Sequence, residues 1–344
     1  MEFPIEKDRL ISTFNRICSA GARFAGTESE KLAADMIKEE LTAAGVGYEV
    51  QPFEYLAYLP VNSEVVVDGE AISSMPLCYA PSKNATGSVI YAGEGMEKDF
   101  DLLIKNRIDI SGKIVVSSTA FSFLVYPIAE RYGAAGFVSF SDAPDNLIRA
   151  GAATNNRQVG SIPGAAISMD DGHKIIQKLK SGNVTLQVGS QGRFEKRKAE
   201  NIIINLPGSK WPGETVFGIA HYDSHNLCEH AWDNASGAAA MLEIAKTIGN
   251  LKPARTVRII LFSAEEYGLS FGSFYYVNKM LENNIKEEFK AVYQIDGAGS
   301  RFSNEYNLFA TPALESYIKQ EACDSKFPLI VCGEPLPISD HLPF

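Results

Sequence analysis

The sequence predicts an α/β protein, a sheet covered by helices on both faces, interrupted by a separate β-rich module. Three observations carry this. The N-terminal stretch reads helix, helix, strand; the region from about Leu59 to Gln191 breaks into short β-like runs; and from Asn201 strands alternate with helices. The length favours two domains, and the texture places the boundaries at 1–58, 59–192 and 193–344, the outer two segments forming one domain.

Thr27 followed by Glu30 is a capping box, after which Leu32, Ala33, Met36, Ile37, Leu41 and Ala44 recur at helical spacing. Gly45 stops that helix, and Gly47–Tyr55 follows as a strand. In the middle module the runs Glu64–Val67, Ser88–Ala92, Lys113–Ser118, Gly136–Phe140, Ala165–Ser168 and Val184–Val188 read as strands. Leu124–Tyr132 and Asp171–Lys180 read as helices, and His173 there reads as a surface or capping residue. In the last segment, strands are expected at Asn201–Leu206, Thr215–Ala220, Thr256–Phe262 and Ala291–Ile295. Helices are expected at Ser236–Ile248, Gly272–Asn283 and Pro312–Ala322.

Lys and Arg number 32 against 42 Asp and Glu, a formal charge of −10, which argues against nucleic-acid binding and against polybasic membrane attachment. The five cysteines (Cys18, Cys78, Cys228, Cys323, Cys332) show no CxxC and read as reduced thiols. With no apolar core of signal-peptide length near Met1 and no run long enough to span a bilayer, the expected location is cytoplasmic.

In such sheets, functional groups gather beyond the carboxyl ends of the strands. His221 and Asp223 follow Thr215–Ala220, and Asp233 opens the next helix. Glu265 and Glu266 follow Thr256–Phe262, and Asp296 follows Ala291–Ile295. Each alone has an ordinary reading, Asp233 as a helix N-cap and the Glu pair as a solvated face. Their recurrence at equivalent strand ends favours a dication, because grouped carboxylates otherwise repel. The donor set suits zinc, with manganese or cobalt as substitutes. Adjacent Glu265 and Glu266 point opposite ways in an extended segment, one toward metal and one free to move protons.

His221-Tyr222-Asp223-Ser224, Asp233-Asn234-Ala235-Ser236-Gly237, Ala264-Glu265-Glu266-Tyr267-Gly268-Leu269, Asp296 and Ser339-Asp340-His341-Leu342-Pro343-Phe344 together resemble the M28 family of co-catalytic zinc aminopeptidases. Between them, Gly112-Lys113-Ile114-Val115-Val116, Gly133-Ala134-Ala135-Gly136, Ile162-Pro163 and Asp171-Gly172 resemble a protease-associated (PA) domain. The resemblance implies a mixed central sheet sandwiched by helices with an inserted PA-like domain. It also implies two zinc ions: Asp233 bridging, His221 and Asp296 completing one site, Glu266 and His341 the other. Glu265 would be the general base for a water activated by both ions, and Asp223 would accept the His221 ring proton. A cis peptide after Asp233 is a further expectation. The implied partner is a peptide losing its N-terminal residue, with a homo-oligomer kept open.

This sequence departs from the family in two places. His225-Asn226-Leu227-Cys228-Glu229-His230-Ala231-Trp232 stands where small residues are usual. It is a variable specificity loop, or one of its His or Cys residues caps the substrate amine or adds a regulatory ligand; Trp232 walls the pocket or packs. The family also implies a further strand and helix after the Ser-Asp-His motif, so weaker second-site zinc and lower stability are expected of these 344 residues. Two alternatives remain open: a carboxypeptidase or amidohydrolase using Arg255, Arg258 or Arg301 for a substrate carboxylate, and a non-catalytic binding protein. Glutaminyl cyclisation fits less well, because both ligand sets are retained.

Overall fold

Strands that read as continuous apolar runs are strands buried on both faces, and Arg255–Phe262 is one. In the computed structural model, which describes residues 5–227, 229–283, 288–299, 306–322, 329–335 and 338–344, this strand lies inside a mixed sheet. It pairs antiparallel with the C-terminal part of Thr185–Leu206, through Ile260↔Ile203, and parallel with Trp211–His221, through Phe262↔His221. Glu288–Gln294 then lies parallel to Trp211–His221.

The chain divides into two compact units, one of residues 1–55 and 197–344 and the other of residues 56–196. In the first, alternate residues of the strands feed two cores. Ile202, Ile204, Ala220, Ile259 and Leu261 pack with Met241, Leu242 and Ala245 of the helix Ser236–Gly249, and with Ala34, Ile37 and Leu41 of the helix Glu28–Ala43. Ile203, Phe217, Ile219, Ile260 and Phe262 pack on the opposite face with Tyr276, Val277 and Met280 of the helix Phe271–Glu282. Each such buried Leu, Ile, Val, Phe or Met contributes about 1.5–3 kcal/mol of transfer free energy, and each Ala less. The helix Ser236–Gly249 is buried almost all round, so its two charged members are paired. Glu243 accepts from Arg9 Nε at 2.7 Å, and Lys246 donates to Glu40 at 2.6 Å.

The second unit holds four successive parallel strands, Lys83–Tyr91, Ile114–Ser118, Gly136–Phe140 and Gly164–Ile167. Its helices are Glu97–Lys105, Ser122–Arg131 and Met169–Ser181. The first of these was not expected from the sequence. It buries only Phe100, and its N-terminus is closed by the Asp99 carboxylate on the Met96 amide, a start that carries no Ser or Thr signal. The unit is therefore more helical than its Gly-rich texture indicates. His173 is an exposed helix residue with its ring edge-on to Phe140 at 5.7 Å.

Among the described residues Cys18, Cys78 and Cys332 are thiols, whereas Cys228, Cys323 and Arg301 lie outside the described residues. No described helix is long and apolar enough to cross a membrane.

Candidate metal centre

Because Trp211–His221, Arg255–Phe262 and Glu288–Gln294 are mutually parallel, their carboxyl ends share one rim. That rim receives His221, the Glu265–Glu266 segment and Asp296. His221 is 1% exposed, and its Nε2 lies 3.1 Å from Asp233 Oδ1 and 3.3 Å from Asp296 Oδ1. Ligands on one tetrahedral ion, each about 2.0–2.2 Å from it, stand about 3.3–3.6 Å apart, so these are close to co-ligand separations. Ligand atoms of His221, Asp233 and Glu266 all lie within 4.8 Å of one another.

Asp233 is presented by an irregular turn, Ala231–Ala235, whose Asp233–Asn234 peptide is cis. Asn234 rather than Asp233 does the capping. Its Oδ1 accepts the Gly237 and Gly297 amides at 2.9 and 3.1 Å, and its Nδ2 donates to Ile295 O at 2.9 Å. The Asp233 carboxylate is thereby left to face His221. Trp232, half exposed, lies where any side chain on Gly297 would collide with its ring, and Gly297 has a φ of +74°.

The segment after Arg255–Phe262 is not extended. Ala264 takes a left-handed φ of +61°, and residues 266–269 turn. The Asp223 carboxylate organises this turn, Oδ1 accepting the Glu265 amide at 3.2 Å and Oδ2 the Glu266 amide at 3.4 Å. Both the carbonyl and the carboxylate of Asp223 face the His221 ring. His221 Nδ1 is 3.3 Å from the Asp223 main-chain carbonyl, and the carboxylate oxygen is farther, at 3.5 Å. The two Glu side chains diverge. Glu265 Oε1 accepts from Ser270 Oγ at 3.2 Å, while Glu266 Oε2 meets His225 Nε2 at 2.7 Å.

His341 does not join the described ligand group. Its ring Nδ1 and its amide both engage Gln294 Oε1, at 2.8 and 2.9 Å, so the loop carrying Ser-Asp-His is anchored to the end of Glu288–Gln294. The imidazole found against Glu266 is that of His225. The same loop supports Asp296 instead: Ser339 Oγ and Gln294 Nε2 donate to its Oδ2 at 2.7 and 3.0 Å.

The charge balance is strained in a way a cation relieves. Burial pushes the Glu265 carboxyl well above the usual range, aided by Asp340, Asp296 and Glu266 against the opposing His221. Burial likewise carries Asp340 up to about 7. Asp296 goes the other way: burial opposes its ionisation, yet His221, Ser339 and Gln294 hold it down at about 2. Burial works against protonation of His221, but Asp296, Asp223 and Asp233 raise it well above the ordinary imidazole. Asp233 Oδ1 and Glu266 Oε1 are buried and accept no hydrogen bond among the described residues. Orphaned buried carboxylate oxygens facing a histidine fit a divalent cation.

Arg255 is bound to Glu214 at the opposite, amino end of its strand, and Arg258 is bound to Asn205 and Tyr276 in mid-strand. Neither stands at the metal rim. Sequence reasoning expected the cis peptide before Asn234 but gave its side chain no role, and it did not single out Gln294. An Asn directly after Asp233 was a usable signal, while Gln294 had none.

Residues 201–329 match peptidase family M28, and residues 73–175 match the PA domain. Over 317 residues the chain is 28% identical to aminopeptidase YwaD of Bacillus subtilis, covering 90% of this chain and 65% of that protein. It is 27% identical over 223 residues to a probable leucine aminopeptidase 2 of Aspergillus fumigatus, covering 64% and 43% respectively. The chain thus spans less than two thirds of the length of these curated relatives. Among solved structures, an aminopeptidase from Aneurinibacillus sp. strain AM-1 superimposes with a TM-score of 0.72 at 23% identity, over 98% of this chain and 82% of that one. BSAP, a zinc aminopeptidase from Bacillus subtilis, does so with 0.70 at 23% identity, over 100% and 83%. These two likenesses are of fold. The strand ends that gather His221, Asp233, Glu266 and Asp296 thus fall within the segment similar to peptidase family M28, and the segment similar to the PA domain lies between the two segments of the first unit.

Proposed function

We propose that this chain is a zinc-dependent aminopeptidase that releases N-terminal residues from peptides. The observation that carries the reading is the convergence of His221, Asp233 and Glu266 within 4.8 Å, with Asp296 on the same imidazole nitrogen. His221, Asp233, Asp296 and Glu266, with His341 as the resemblance implies, would hold two zinc ions, with manganese or cobalt as substitutes. When bound, zinc supplies Lewis acidity toward the scissile carbonyl and acidifies water.

The remaining work falls to the chain. Asp233, Asp296 and Glu266 neutralise the cations, and Asp223 holds the turn that presents Glu265 and Glu266 in different directions. Glu265 is the proton carrier. Ser270 restrains Oε1, so Oε2 is the oxygen that takes the proton from the attacking water and returns it to the leaving amine. A carboxyl whose pKa is raised by burial is suited to both halves of that exchange.

The test is hydrolysis of a panel of aminoacyl reporter amides beside the same amides with a blocked amine, each with and without chelator. Turnover of the free-amine series alone, abolished by chelator and restored by zinc, is expected. Equal turnover of blocked amides would overturn the aminopeptidase assignment, and turnover indifferent to chelator would overturn the metal assignment.

A further inference from the structure

His225 lies in the loop that follows Trp211–His221, and that loop is pinned. The guanidinium of Arg23, which is fully buried, donates to Tyr222 O at 2.9 Å, Glu229 O at 2.6 Å and His230 O at 3.0 Å. The Arg23 main chain exchanges hydrogen bonds with Ser224, its amide to Ser224 Oγ at 2.8 Å and its carbonyl from Ser224 N at 3.0 Å. The His225 ring is packed against Tyr267 at 4.4 Å, so its direction is set as well.

Two kinds of imidazole contact occur at this rim. His221 Nε2 stands 3.1 and 3.3 Å from its two carboxylates, close to the spacing of co-ligands on one ion. His225 Nε2 stands 2.7 Å from Glu266 Oε2, the length of a charge-assisted N–H···O⁻ hydrogen bond. The first contact fits two ligands of one ion, and the second fits a donor holding a carboxylate. Glu266 then has one oxygen tied and one, Oε1, buried and unclaimed among the described residues. Asp296 repeats the pattern, with Oδ2 tied by Ser339 and Gln294 and Oδ1 turned to His221.

Resting on the metal-site reading above, we propose that His225 is a positioning residue for zinc. Its Nε2–H holds Glu266 Oε2, so that Glu266 binds the metal through Oε1 alone, as Gln294 and Ser339 hold Asp296 to Oδ1. A fixed single-oxygen ligand needs no reorientation on metal binding. The contribution therefore lies in affinity, at the size typical of groups that orient metal ligands, about 10–100-fold.

The experiment measures zinc affinity of the full 344-residue chain by competition with a chromogenic chelator, for the wild type, His225→Ala and His225→Gln. Circular dichroism verifies the fold of each. His225→Ala is expected to weaken zinc by about 10–100-fold. His225→Gln, whose amide nitrogen can reach the position of Nε2 and donate, is expected to recover most of that loss. An unchanged affinity in His225→Ala overturns the proposal. So does a loss that glutamine fails to restore, which would make the ring itself a ligand. A wild type that binds no zinc would instead sink the metal reading on which this rests.

Discussion

The carboxylate of Asp223 accepts the main-chain amide of Glu265 at 3.2 Å, and its second oxygen accepts the neighbouring amide of Glu266 at 3.4 Å. The residue expected to serve the His221 ring, whose Nδ1 lies 3.5 Å from the same carboxylate, also serves a turn. The carboxylate spans two consecutive N–H groups, and this holds the left-handed Ala264 and the residues after it in the shape that sends the two glutamates apart. Removing that acceptor in Asp223→Ala strands two amides. The expected loss is about 2–4 kcal/mol, read by urea denaturation of the metal-free chain. Asp223→Asn keeps one acceptor and should lose about half as much. Wild-type stability in Asp223→Ala would show that the turn holds itself.

Glu265→Gln preserves shape and removes the proton acceptor. Turnover on aminoacyl amides should fall by about 10²–10⁴-fold with bound zinc unchanged by metal analysis. Near-normal turnover would end the assignment of Glu265 as base.

Gln294 joins the Ser339–His341 loop to Asp296. Gln294→Leu is isosteric enough to pack but cannot donate, and Asp296 then loses one of the two bonds that fix Oδ2. Zinc affinity should drop by about tenfold or more. Affinity equal to wild type would mean that Ser339 alone suffices.

Chelation should destabilise the chain, because Asp233, Glu265, Glu266 and Asp296 are left close together without a cation. With zinc at a hundred to a thousand times its dissociation constant, the linkage amounts to about 2.7–4.1 kcal/mol. This corresponds to a fall in Tm of about 4–6 °C on chelator addition. A Tm indifferent to chelator would contradict a structural share for the metal.

Glu30 provides a pH signature away from the metal. Its carboxylate accepts from Ser263 Oγ at 2.7 Å and from the Gly26 amide at 3.3 Å, yet burial raises it from 4.5 to about 7. The folded chain therefore holds this proton where the unfolded chain has lost it. The contribution is whole below about pH 4.5 and is lost as pH rises toward 7, at most about 3 kcal/mol in all. The stability difference between wild type and Glu30→Gln, followed across that window with chelator present, should change with this sign. A difference independent of pH would refute the shift.

The strands and helices of the first unit were legible because their signals are local. Apolar runs marked Arg255–Phe262 and Trp211–His221, and helical spacing marked Ser236–Gly249 and Pro312–Ala322. Glu97–Lys105 was missed because one buried Phe among exposed and charged residues leaves little pattern. Thr27 does cap the helix that it announces, accepting the Glu30 amide at 3.3 Å. The partner in that box, however, is a buried carboxylate bonded to Ser263, and no local pattern reveals it.

By itself the sequence determined the donor inventory and its order along the chain, and which strand end each donor follows. Those are properties of residue type and short-range periodicity. Parallel pairing then brings His221, Glu266 and Asp296 to one rim. Only the tertiary structure decided which imidazole meets which carboxylate. His225, four residues beyond His221, lies against Glu266 because Arg23 holds its loop there, while His341 is kept on Gln294. Such choices depend on hydrogen bonds between segments some two hundred residues apart in the chain, such as Arg23 to Tyr222, and spacing in the sequence carries no record of them.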